Sequence, residues 1–137
     1  MATLLDTSVL IDIAVRDPQW LKWSRARVEE ARRRGSVVIN PIIFAEFSTR
    51  YDAIEEVDAA LPPDAFRREA LPFDAAFAAA RAFAQYRRRG GKRDKVLPDF
   101  FIGAHAAIRG YPILTRDPSG YRAYFPGIEL ISPESHP

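Results

Sequence analysis

Short apolar runs alternate with segments of helical period along most of this chain. Residues 2–5 are apolar and stop at Asp6-Thr7-Ser8, where Thr7 or Ser8 is placed to cap a helix carrying Val9, Leu10 and Ile13. Asp17-Pro18 pairs an N-cap with a proline at the first helical position. Leu21, Ser24, Val28 and Ala31 follow at helical spacing until Arg32-Arg33-Arg34-Gly35 closes the segment with cations and a glycine. Residues 36–39 form a second apolar run. Asn40-Pro41 then repeats the cap-plus-proline signal and predicts a helix over 42–50, with Ile43 and Phe47 on one side and Glu46 inside it.

Residues 51–61 read as an acidic helix, broken by Pro62-Pro63-Asp64 before a further helical turn at Phe66, and residues 71–73 read as a brief strand or connector. Asp74 is the expected cap of a helix reaching Tyr86, on which Phe73, Phe77, Ala80 and Ala84 share one apolar stripe, and Gly90-Gly91 marks a loop after it. Leu97-Pro98-Asp99 opens another helix that ends at Arg109-Gly110. Residues 112–115 and 129–131 are the remaining strands, separated by a turn at 116–120 and at most one helical turn at 121–125. Strands of three to five residues between helices predict an α/β fold, a three-layer α/β/α sandwich with a central, mostly parallel sheet, because parallel strands need crossovers that helices supply.

At 137 residues the chain fits one domain, residues 1–137. It contains no cysteine, which removes zinc-finger, thiol-nucleophile and disulfide-scaffold readings together. With His105 and His136 its only histidines, any metal must be held mainly by oxygen, which points to a hard cation such as Mg²⁺ or Mn²⁺. The first residues lack the basic start of a signal peptide, and no stretch approaches the roughly 20 apolar residues of a membrane span, so a soluble, cytoplasmic protein without a membrane partner is expected. The net charge is only +2, but residues 81–95 hold seven cations and one acid. Positive charge is thus concentrated where a polyanion could be met, and Arg87, Arg88, Arg89, Lys92 and Arg93 are candidate phosphate contacts, with a solvated helix end as the ordinary alternative.

In a parallel sheet, ligands bind beyond the carboxyl ends of the strands. Asp6 directly follows the first strand and Asp117 directly follows the strand at 112–115. Asp99 at one helix start and Glu46 within another can reach the same edge. Each acid also has a local explanation: Asp6 and Asp99 as caps, Glu46 as a solvated helical residue, Asp117 as a turn residue before Pro118. Converging carboxylates repel by about 4 kcal/mol per pair at 4 Å and an effective dielectric near 20, and a divalent cation offsets that repulsion. Ser8 and Thr115, each two residues from an aspartate, could orient a carboxylate, and Arg116 could orient a phosphate or pair with an acid.

These segments carry a resemblance. The opening run into Asp6-Thr7-Ser8-Val9-Leu10-Ile11-Asp12, the stretch Asn40-Pro41-Ile42-Ile43-Phe44-Ala45-Glu46, and the block from Leu97-Pro98-Asp99 through Leu114-Thr115-Arg116-Asp117 to Tyr124-Phe125-Pro126 resemble PIN-domain nucleases, specifically the VapC-type toxins of bacterial toxin–antitoxin pairs. The resemblance spans essentially the whole chain; in residues 51–95 it is only one of helical character. It implies Asp6, Glu46 and Asp99 as principal acidic ligands of Mg²⁺ or Mn²⁺, Asp117 completing the site directly or through water, and Ser8 and Thr115 as polar supports. It implies an endoribonuclease acting on RNA of the translation machinery, a VapB-type antitoxin as partner, and a homodimer.

Other classes are weaker. A haloacid-dehalogenase-type phosphatase needs an acid where Ser8 stands, and Gly90-Gly91-Lys92-Arg93 lacks the early glycine and the closing Ser or Thr of a P-loop. A non-catalytic RNA-binding or regulatory module that keeps the fold is the surviving alternative. His105, flanked by alanines on an apolar helix, reads as a packing residue, and Trp20, Trp23, Phe44 and Phe47 as core or interface.

Overall fold

The computed structural model describes residues 1–91 and 97–137. Its centre is a five-stranded, wholly parallel sheet in the order β3-β2-β1-β4-β5, with β1 at Thr3–Leu5, β2 at Val37–Ile39, β3 at Arg67–Arg68, β4 at Ile113–Leu114 and β5 at Leu130–Ile131. The helices are α1 (Thr7–Ala14), α2 (Leu21–Arg34), α3 (Pro41–Ser48), α4 (Ile54–Ala60), α5 (Phe73–Arg88), α6 (Leu97–Arg109) and α7 (Ser119–Tyr124). The arrangement is a three-layer α/β/α sandwich.

The central strands are apolar without alternation because both faces of the sheet are covered. Leu4, Leu5, Val38, Ile39, Ile113 and Leu114 are essentially inaccessible to solvent and pack with Val9 and Leu10 of α1, Ile43 and Phe47 of α3, and Ile102 and Ala106 of α6. Each such buried aliphatic side chain contributes roughly 1.5–3 kcal/mol. A second cluster joins Ala75, Ala79 and Tyr86 of α5 to Phe100 and Ala104 of α6, with Phe83, Tyr124 and Phe125 against it. Among the described residues no helix is long and apolar enough to cross a membrane.

From β1 the chain adds β2 and then β3 on one side, whereas β4 and β5 lie on the other. The crevice beyond the carboxyl ends of β1 and β4 is therefore the switch point of the sheet, where ligands of such folds bind. Residues that directly follow β1 and β4 open onto this crevice.

Several local expectations are corrected. The turn at Phe66 leads not into a helix but into β3, two exposed arginines paired with Val38 and Ile39. Asp17 accepts hydrogen bonds from the Gln19 and Trp20 backbone N–H groups and so closes a turn, while α2 itself begins only at Leu21. Neither Asp74 nor Thr7 nor Ser8 is an N-cap: those positions belong to Pro72 and Asp6. The stripe of Phe73 and Phe77 faces solvent, with 93% and 67% of each residue exposed. Instead α5 buries Ala75 and Ala79, small side chains that let its first half approach α6 closely, and Tyr86 further along.

Candidate functional site

A cleft of about 640 Å³ opens at the switch point and is lined by all four predicted acids, Asp6, Glu46, Asp99 and Asp117, together with Ser8, Arg116 and Tyr121. Asp6 stands at the N-cap of α1, yet its side chain makes no capping bond. Its Oδ2 accepts from Ser8 Oγ at 2.7 Å and Thr115 Oγ1 at 2.9 Å, and its Oδ1 accepts from the Tyr121 hydroxyl at 2.8 Å. A carboxylate has about four acceptor directions, so these three hydroxyls orient it firmly and leave room for one further donor or cation. The Asp6 side chain is thus committed to these hydroxyls rather than to capping α1.

Glu46 reaches the cleft from the last turn of α3. That helix starts where the sequence predicts, since Asn40 Oδ1 accepts from the Ile43 N–H at 2.9 Å and Pro41 fills the first position. Thr7 Oγ1 donates to Glu46 Oε1 at 2.7 Å. Burial pushes the Glu46 carboxyl above its ordinary value, the Thr7 bond pulls it down, and the charges of Asp99 and Asp6 push it up again. Asp99 lies in the first turn of α6, where the helix dipole favours a carboxylate. Asp6, Asp99 and Glu46 also act on the buried Tyr121 hydroxyl. Desolvation first, and then these acids, hold its pKa well above the ordinary tyrosine value, so it remains a donor to Asp6.

Asp117 sits toward the rim. Its backbone N–H donates to Thr115 Oγ1 at 3.0 Å, its Oδ1 accepts from Ser119 Oγ at 3.2 Å, and its charge acts on Arg116. Thr115 thus links the two aspartates, being fully buried between them. Arg116 lines the cleft, but its guanidinium forks onto Asp12, Nε to Oδ2 at 2.8 Å and Nη2 to Oδ1 at 3.0 Å, and lies over the Trp20 ring. Ser24 Oγ completes the buried Asp12 at 2.8 Å. Of the two roles open to Arg116 in the sequence, acid pairing is the one its side chain adopts.

The donor set is all oxygen, carboxylates supported by hydroxyls, which fits a hard divalent cation that keeps several of its waters. Among the described residues no three His, Cys, Asp or Glu side chains are gathered tightly enough to hold an ion as they stand. The acids therefore line the cleft as separate groups within one another's field.

Sequence reasoning missed Tyr121, Thr7 and Asp12. Only Asp12 left a signal, a charge among the apolar residues of a short helix, which demands a buried partner. His105 is fully buried and hydrogen-bonded to Asn40 and Glu69 away from the cleft lining, in keeping with a packing role. Of the basic run, Arg87, Arg88 and Arg89 are exposed at the end of α5, whereas Lys92 and Arg93 lie outside the described residues.

Fold and cleft define an α/β domain built around acids at its switch point. The PIN-domain family model matches residues 3–126, and the chain belongs to that family, whose members are generally nucleases. No curated protein matches the sequence. Among solved structures, VapBC2 from Rickettsia felis bound to a DNA fragment from their promoter is similar with a TM-score of 0.76 at 14% identity, over 96% of this chain and 98% of that one. FitAcB from Neisseria gonorrhoeae gives 0.71 at 19% identity, over 98% and 99%. DNA-bound VapBC from Salmonella typhimurium gives 0.69 at 22% identity, over 96% and 98%. At these identities the likeness is one of fold.

Proposed function

We propose that this chain, acting as one domain of residues 1–137, is a metal-dependent endoribonuclease and the toxin of a toxin–antitoxin pair that cuts RNA of the translation machinery in the cytoplasm. The observation that carries this reading is the lining of one switch-point cleft by Asp6, Glu46, Asp99 and Asp117, with the first held by three hydroxyls. A module that only binds a polyanion has no use for four carboxylates facing it.

Asp6, Glu46 and Asp99 are the residues that would hold Mg²⁺ or Mn²⁺, with Asp117 contributing directly or through water. When bound, the cation supplies Lewis-acid stabilisation of the charge that builds on the phosphate. The chain's own contribution is positioning. Ser8, Thr115 and Tyr121 fix both oxygens of Asp6, and Thr7 fixes one oxygen of Glu46, so the acids do not have to be ordered when substrate arrives. Arg116 is assigned a bracing role: through Asp12 it ties the turn after β4 to α1, the two segments that carry Asp117 and Ser8. Phosphate contact then falls to a cationic face of α5 rather than to Arg116.

A VapB-type antitoxin and a second copy of the chain are the proposed partners. The similar folds occur in VapBC complexes, which supports the first. The deciding experiment is cleavage of a mixed RNA pool by purified protein with Mg²⁺ or Mn²⁺ and with EDTA, beside Asp6→Asn and Asp99→Asn proteins shown to be folded. Metal-dependent cutting lost in both variants is expected. Cutting that survives either substitution overturns the assignment, and salt-sensitive RNA binding without any metal-stimulated turnover favours the binding module instead.

A further inference from the structure

A second groove, of about 520 Å³, runs along α5 and shares Tyr124 and Phe125 with the acidic cleft. Its cationic and amide groups are Arg81, Gln85 and Arg88, which recur at four and three residues and therefore lie on one face of the helix. Arg81 and Arg88 stand seven residues apart, about 10 Å along the axis. Ala78 and Ala82 keep this stretch shallow and open. Arg87 and Arg89, although also exposed, do not line the groove.

The ledge between cleft and groove is aromatic and rigid. Tyr124 packs edge-on against Tyr86 and Phe100, with ring centroids 5.6 and 5.4 Å away, and Phe125 lies 6.5 Å from Phe100. Both ledge residues keep part of their surface exposed. Helix α6 can lie this close because residue 103 is glycine, where a Cβ would collide with the Phe125 ring.

We propose, resting on the ribonuclease reading, that a single RNA strand leaves the acidic cleft over Tyr124 and Phe125 and follows the Arg81–Gln85–Arg88 face of α5. The charge order is the reason. Among the described residues, the four carboxylates in the cleft face only Arg50 and Arg116, so further neutralisation of a phosphate chain has to come from a flank, and the α5 groove is a flank continuous with the cleft. A partly exposed aromatic ledge suits a stacked base, which every nucleotide offers. An acidic peptide would satisfy the arginines equally but would gain nothing from a path that begins at four carboxylates. The proposal divides the basic run: Arg88 acts with the distant Arg81, while Arg87 and Arg89 do not.

The test is the affinity of a fluorescently labelled, mixed-sequence single-stranded RNA for the whole protein in EDTA, titrated against salt. Arg81→Gln/Arg88→Gln should weaken binding about 25-fold in 0.1 M salt and flatten the log–log salt slope by about 1.4, the loss of two phosphate contacts on a single strand. Arg87→Gln/Arg89→Gln, the same change in net charge, should leave both nearly unaltered. Equal weakening by the two pairs, or none by the first, overturns the path. If wild type still cuts RNA with Mg²⁺ in that case, only the path has failed; if wild type neither binds nor cuts RNA, the ribonuclease reading has failed with it.

Discussion

The side-chain amide of Asn40 donates to Nδ1 of the buried His105 at 2.9 Å, and its direction is not free, because Asn40 Oδ1 is committed to the Ile43 N–H. Nδ1 is consequently an acceptor, and the ring proton sits on Nε2, which donates to Glu69 Oε2 at 2.6 Å. One residue thus caps the helix carrying Glu46 and grips the helix carrying Asp99. The expected ¹⁵N spectrum of the His105 ring is that of the Nε2–H tautomer. Asn40→Ala loses the cap and orphans a buried nitrogen, a cost of roughly 2–4 kcal/mol in urea unfolding, whereas Asn40→Ser should recover only the cap, about 1 kcal/mol of it.

Glu69 makes this network sensitive to acid. Burial alone would push its carboxyl up, but hydrogen bonds from Tyr111 and His105, with the charge of Arg67, outweigh burial and hold it below the ordinary value of 4.5. A carboxyl lowered on folding stabilises the protein fully above its unfolded pKa, and that contribution is lost as pH falls through the lower native one. The stability gap between wild type and Glu69→Gln should therefore be constant above about pH 5 and shrink progressively below 4.5. Urea midpoints at pH 3.5, 4.5 and 6 measure it; a gap that does not change with pH contradicts the assignment.

Asp12 is a charge almost wholly removed from water, balanced by the fork of Arg116 and by Ser24. Arg116→Ala leaves it unpaired and should cost roughly 2–4 kcal/mol, less than for a fully enclosed pair because the arginine remains about a third exposed. Arg116→Lys should restore little, since an ammonium cannot occupy both carboxylate oxygens in one plane. The bracing role predicts that turnover falls in proportion to lost fold, while RNA affinity per folded molecule is unchanged. A selective loss of RNA affinity would instead return Arg116 to phosphate contact.

Tyr121→Phe removes one hydroxyl from Asp6 and little else. Loss of a group that orients a ligating carboxylate ordinarily costs about 10–100-fold in metal affinity or activity. The same loss is expected here in Mn²⁺ titrations and in cleavage, with thermal stability close to that of wild type. Unchanged Mn²⁺ affinity and rate would show that Ser8 and Thr115 suffice to place Asp6.

Much of the candidate cleft's lining was legible because its signals are local. An apolar run ending in Asp6, the pair Asn40-Pro41 ahead of Glu46, Leu97-Pro98 ahead of Asp99 and a run ending in Thr115-Arg116-Asp117 each announce an element and an acid at its end. The misreadings have physical causes. β3 consists of two exposed arginines on the outermost strand and carries no hydrophobic pattern at all. On α5 the large side chains suggested the buried face, but close helix contact selects by size, and Ala75 and Ala79 win over Phe73 and Phe77. Tyr121 and Thr7 act through contacts 115 and 39 residues away in sequence, which no window along the chain can display.

That separation bears on the protein's birth. One of the two strands beside β1 is β4, and two of the three groups that orient Asp6 come from residues 115 and 121. A nascent chain that has emerged only as far as α6 already contains Asp6, Glu46 and Asp99, but lacks β4 and two of the three hydroxyls that hold its first acid. Cleft assembly thus waits until residues 113–121 have been made, since long-range parallel pairing needs both partners. On the ribonuclease reading, products terminated before β4 would lack a finished cleft, and competence would arrive abruptly, with β4 and α7, rather than grow with chain length.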